Sequence, residues 1–177
     1  TGTGTGTGAE GNGAGTLDGV FVNGQTSQML GPNLIRVSAP LSCPERGCEA
    51  WVNIVLNDPS VKFGQCALTV LVNQTDFDND HSMEIIEYIG VGARNLTTNV
   101  QPGHNPCLER DQGHPMDPAQ IPVTVVNAVD VSQETASGIL NVFGKISPYV
   151  DECASNGYLF HGVAQVDCQV TLVNNTR

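Results

Sequence analysis

Three carboxylates stand at alternate positions in Asp76-Phe77-Asp78-Asn79-Asp80. Oxygen donors gathered on one side of a short loop are the ligand type that a hard cation takes, so Asp76, Asp78 and Asp80 form a candidate Ca²⁺ site. The spacing extends to Glu84 and Glu87, the ninth and twelfth positions counted from Asp76. An EF-hand is a poor reading, because His81 occupies the sixth position, where a glycine makes the sharp turn. The competing reading is a solvated acidic turn whose Asp and Asn side chains bond their own backbone.

A second chemistry is modification. Asn73-Gln74-Thr75, Asn95-Leu96-Thr97 and Asn174-Asn175-Thr176 are N-glycosylation acceptors. Each falls at an expected strand end or turn, where the asparagine can face solvent. A third is oxidation. The six cysteines, Cys43, Cys48, Cys66, Cys107, Cys153 and Cys168, include no C-x-x-C pair. That spacing disfavours a zinc ribbon and favours disulfides. The expected pairs are Cys43–Cys48, Cys66–Cys107 and Cys153–Cys168, the last two each tying a strand to a nearby connection. Together these features predict a secreted, extracellular product carrying N-linked glycans.

Catalysis finds little support. His81, His104, His114 and His161 are scattered, with no zinc-protease spacing. Asp111 with His114, or Glu134 in its turn, belongs to no nucleophile context such as Gly-x-Ser-x-Gly. The expectation is therefore a non-enzyme, with a secreted hydrolase as the third-ranked function. Five Phe, three Tyr and one Trp are few for an aromatic sugar platform, and Trp51 is expected in the core.

The elements that must position these residues are strands. Val, Thr, Asn and Gly are frequent, and no long segment follows a helical period. Residues 66–72 alternate as Cys66, Leu68, Val70, Val72 against Ala67, Thr69, Leu71, apolar on both faces, which predicts a central strand covered on both sides. Residues 83–91 read as the return strand, with Ile85, Ile86, Tyr88 and Ile89 packing. Further strands are expected at 17–22, 34–39, 50–56, 123–126, 128–131, 138–146, 158–163 and 166–173. Nine or ten short strands separated by turn signals predict an all-β fold, an antiparallel β-sandwich of Ig-like or jelly-roll-like type.

The net charge of −11, from 18 acidic and 7 basic residues, argues against nucleic acid and anionic membrane surfaces. No apolar run is long enough to span a bilayer, so membrane insertion is not expected. The chain begins at Thr1 without Met, which implies a signal or precursor that is removed. Residues 1–15, TGTGTGTGAEGNGAG, have Gly at nearly every second place and read as an extended arm or linker ahead of a domain at 16–177.

Residues 66–107 carry a resemblance. The run Cys66…Thr75-Asp76-Phe77-Asp78…Glu87…Gly92…Pro102-Gly103-His104-Asn105-Pro106-Cys107 resembles secreted cysteine-bonded domains of microbial eukaryotes, found in algal-type surface and flagellar-hair proteins and in glycosylated fibrils. The resemblance implies a structural role: a glycosylated protomer stacked into a helical filament. In that reading the domain is a homo-oligomer, repeated by contacts that do not close, and the arm adds to a neighbour's sheet edge. The alternative is a Ca²⁺-dependent adhesive or carbohydrate-binding module with glycans as partners.

Overall fold

A computed structural model describes residues 24–73, 77, 83–102, 122–150 and 160–173. Nine strands run through them: β1 (Thr26–Gly31), β2 (Leu34–Cys43), β3 (Glu49–Val55), β4 (Val61–Val72), β5 (Ile86–Val91), β6 (Arg94–Val100), β7 (Val123–Asp130), β8 (Ile139–Ile146) and β9 (Phe160–Leu172). All pairings are antiparallel. One sheet has the order β1-β2-β9-β4-β7 and the other β3-β8-β5-β6. The expected antiparallel sandwich is therefore the observed architecture.

Period two drives the packing. Ile35, Val37, Ala39 and Leu41 of β2, Leu68, Val70 and Val72 of β4, and Ala164, Val166 and Val170 of β9 face inward from the larger sheet and are buried. Val52 and Ile54 of β3, Ile86, Ile89 and Val91 of β5, and Leu140, Val142 and Ile146 of β8 face them from the smaller sheet. Phe160 fills the space over Gly144, where an added Cβ would stand 3.4 Å from its ring. Phe77, from the middle of the acidic run, is also fully buried.

Several elements differ from the sequence expectation. β4 is central, flanked by β9 and β7, but among the described residues only one face is covered; Ala67, Thr69 and Leu71 on the other are half-buried. β5 is not a hairpin return of β4, because it lies in the opposite sheet. The segments 123–126 and 128–131 are one strand, β7, kept continuous through register shifts and a positive φ of 48° at Ala128. The strands expected at 158–163 and 166–173 are likewise met by one long strand, β9 (Phe160–Leu172). β2 runs on through Pro40 to Cys43. β1 pairs no further than Ser38, so β2 has an open side where proline removes no ladder bond. The strand expected at 17–22, the arm at 1–15 and the polar loop after Cys107 lie outside the described residues.

Candidate functional site: the outer face and outer edge of the smaller sheet

The face of the smaller sheet turned away from the core is set by strand register. On β3, Ala50, Val52 and Ile54 point inward, so Glu49, Trp51, Asn53 and Val55 point outward. Their partners on β8 are Lys145, Phe143, Asn141 and Ile139. Next on β5 stand Tyr88, opposite Lys145, and Gly90, opposite Phe143. On β6, Thr98 lies opposite Tyr88 and Asn95 opposite Gly90. One row across the four strands thus reads Trp51, Phe143, Gly90, Asn95. The row beside it reads Glu49, Lys145, Tyr88, Thr98.

Trp51 is 68 % exposed. The core position expected for it is wrong, and strict alternation with Ala50, Val52 and Ile54 was the signal that placed it outside. Phe143 and Tyr88 meet edge to face, with ring centroids 5.9 Å apart at 74°. The ring of Phe143 also reaches across β5. A Cβ added to Gly90 would lie 2.5 Å from its Cζ and 2.6 Å from the Arg94 carbonyl oxygen. Gly90 is therefore required for close approach, and the phenyl ring covers the strand between β8 and Asn95.

Polar groups frame these rings. Asn141 Nδ2 donates to Asn53 Oδ1 at 3.0 Å. Lys145 Nζ and Glu87 Oε2 form an ion pair at 2.7 Å. The hydrogen bond to Glu87 raises the Lys145 ammonium above its ordinary pKa. The Tyr88 phenol is also raised, first by loss of surrounding water and then by the charge of Glu49. Glu87, counted in the extended acidic run, is engaged with Lys145 on this face.

The outer edge of β3 is a second feature. Leu56 N–H donates to the Gly138 carbonyl on the β8 side, so Val55 turns its backbone groups the other way. There the side chain of Gln25 meets them both: its Nε2 donates to the Val55 carbonyl at 2.9 Å, and its Oε1 accepts from Val55 N–H at 2.8 Å. One amide side chain thus occupies the place of a strand residue. By period two, Asn53, Trp51 and Glu49 turn their N–H and C=O groups to the same side. Among the described residues no strand pairs with that edge.

Two disulfides fix the frame. Cys43–Cys48 closes the corner where the chain leaves β2 and enters β3, as expected from its short loop. The second joins Cys66 to Cys168, directly opposed residues of β4 and β9 with Cα atoms 4.1 Å apart. This corrects the expected Cys66–Cys107 and Cys153–Cys168 pairs. The reason is physical: ladder register places two residues 102 apart in sequence side by side, and nearness along the chain does not report register. Cys107 and Cys153 lie outside the described residues.

Of the acceptors, Asn73 directly follows β4, its N–H bonded to the His161 carbonyl at 2.9 Å, and Asn95 is exposed on β6. Asn174 and the candidate cation ligands Asp76, Asp78 and Asp80 lie outside the described residues. Among the described residues no three His, Cys, Asp or Glu side chains gather as a metal site. Glu134 is held by Arg94, whose Nη2 lies 2.8 Å from Glu134 Oε1 and also donates to the Asp130 carbonyl at 2.9 Å. Ser132 Oγ donates to Asp130 Oδ1 at 2.6 Å, and its backbone N–H to the same oxygen at 2.9 Å, which holds the Asp130 carboxyl below its ordinary range. These bonds build the connection from β7 to β8. No helix among the described residues is long and apolar enough to cross a membrane.

No family model, curated protein or solved structure matches the chain.

Proposed function

We propose that the chain is the structural protomer of an extracellular, glycosylated helical fibril, polymerising when the segment ahead of Gln25 is laid along the outer edge of β3 in a neighbouring copy. The observation that carries this reading is the Gln25 amide bonded to both backbone groups of Val55. Within one copy it brings the end of the N-terminal segment beside that copy's own β3 edge, whose next groups, on Asn53 and Trp51, point the same way, and exchange of the segment between copies would lay it on the same edge of a neighbour. An edge of this kind is a template for an added strand. The alternating Thr and Gly of residues 1–15 suit the role, because Gly permits close backbone approach on one side. Ordering such a segment costs about 1–2 kcal/mol per residue, so it needs the backbone bonds that a neighbour's edge offers. Two disulfides closing a rigid sandwich support an extracellular setting. Deleting residues 1–15 should leave a folded, disulfide-bonded monomer that forms no fibres by electron microscopy. Fibres of normal length from the truncated protein would refute the arm as connector.

A second reading, a carbohydrate-binding or adhesive module, is favoured by Trp51, an indole held open on a face with Phe143 and Tyr88. A glycan array with and without chelator tests it and asks at once whether Asp76, Asp78 and Asp80 bring Ca²⁺ into the binding. Signal that depends on Trp51 but survives chelation would assign the binding to the aromatic face alone.

A further inference from the structure

We infer that the glycan on Asn95 docks back onto the outer face of the smaller sheet, its first sugar packed against the ring of Phe143 beside Tyr88. The inference rests on the secretory reading given above and adds to it a specific seat for one glycan. Two observations and the spacing of paired strands carry it. Asn95 stands directly opposite Gly90, on the outward side, and is exposed. Gly90 has no side chain, and the Phe143 ring lies in the space a Cβ would take. Opposed residues of an antiparallel pair have Cα atoms about 4.5–5.5 Å apart, so the ring edge ends within one pyranose length of the Asn95 side chain.

The chemistry matches on both sides. The first sugar of an N-glycan offers an apolar C–H face and an equatorial rim of hydroxyl and acetamido groups. Phe143 offers an apolar ring face, held by its edge-to-face contact with Tyr88. The Asn53–Asn141 amide pair and the Lys145–Glu87 ion pair lie along the same face and suit the polar rim. Further sugars extending along the row meet Trp51 at the far edge. Among the described residues no such row lies beside Asn73, which follows β4 in the other sheet, so its glycan serves as the internal control.

The test uses the full chain secreted from a eukaryotic host, with occupancy of each acceptor read by peptide mass mapping. The glycan is trimmed enzymatically to its first sugar. The expected NMR result is an upfield ring-current displacement of that sugar's protons on Asn95 and no displacement on Asn73. Loss of the glycan through Asn95→Gln should lower Tm by about 2–4 °C in the parent and leave Tm unchanged in a Phe143→Leu background. Unshifted sugar protons, or an equal fall in Tm in both backgrounds, would overturn the inference. The NMR arm needs no substitution and decides the matter even where Phe143→Leu fails to fold. An empty Asn95 beside an occupied Asn73 overturns this inference and leaves the secretory reading standing. Both sites empty overturns both.

Discussion

The two sheets present opposite outer faces built on the same alternation. On the larger sheet, Arg36 and Asp167 form a two-bond ion pair across β2 and β9, with Nε–Oδ1 and Nη2–Oδ2 both 2.7 Å. Thr69 Oγ1 accepts from Ala128 N–H at 3.2 Å, and Ser38 and Gln165 stand opposite one another. Polar partners thus meet across neighbouring strands. On the smaller sheet the equivalent positions hold Trp51, Phe143 and Tyr88, with a glycine between the rings and Asn95. The inner faces are alike in Val, Ile, Leu and Ala, with Phe160 added from the larger sheet. What differs is the outer aromatic groups: Phe77 and Phe160 fill the core, whereas Trp51, Phe143 and Tyr88 stand on the outer face of the smaller sheet. That contrast is the ground on which the smaller sheet is proposed as the working face.

The strongest way to break the contrast is to remove what secures the larger sheet. Replacing both Cys66 and Cys168 with Ala should cost about 4–5 kcal/mol, since the bond closes a loop of about 100 residues. Urea denaturation would register it as a lower midpoint, while the smaller sheet keeps its composition. Next comes Gly90→Ala. Its Cβ meets the Phe143 ring and the Arg94 carbonyl, so a loss of about 1–3 kcal/mol is expected, read by the same titration. A neutral result would mean that Phe143 moves freely off β5.

Smaller effects sharpen the comparison. Arg36→Met should lose about 0.5–1 kcal/mol in low salt and less in high salt, the behaviour of a half-exposed pair. Trp51→Thr should change stability by less than about 0.5 kcal/mol, because the indole is exposed, and should abolish glycan-array binding through the aromatic face while leaving assembly, which uses the β3 backbone, intact. The two substitutions thus separate a stabilising face from a functional one. Smallest is a pH effect. The folded-state pKa of Lys145 is raised, so its contribution is fully present below the ordinary lysine value and is lost as pH rises through the folded value. Lys145→Met should flatten the alkaline limb of the stability profile, checked by denaturation from pH 8 to 11, a range set by lysine's ordinary pKa of about 10.4.

Much of the sandwich was legible from period two. The alternation at Leu34–Ala39, Ala50–Leu56 and Cys66–Val72 places strands where they are found, and it encodes which face of β3 carries Trp51. The residue type misled, since an aromatic on a strand suggests core, whereas its neighbours Ala50 and Val52 define the core side. β1 was not legible, because Thr26, Ser27 and Gln28 give no apolar period. Sheet membership was hidden as well. Nothing local says that β5 leaves the sheet of β4, or that Cys66 faces Cys168, since both depend on pairing between distant segments. The same holds for the row joining Trp51, Phe143, Gly90 and Asn95, four residues from four strands.

Amide hydrogen exchange at Trp51 and Asn53 tests the central claim most directly. Their N–H groups point to the outer edge of β3, where a neighbour's arm is proposed to pair. Exchange should slow markedly on going from dissociated monomer to assembled fibre, while amides already bonded between β3 and β8 change little. Equal exchange at Trp51 and Asn53 in monomer and fibre would contradict assembly through this edge.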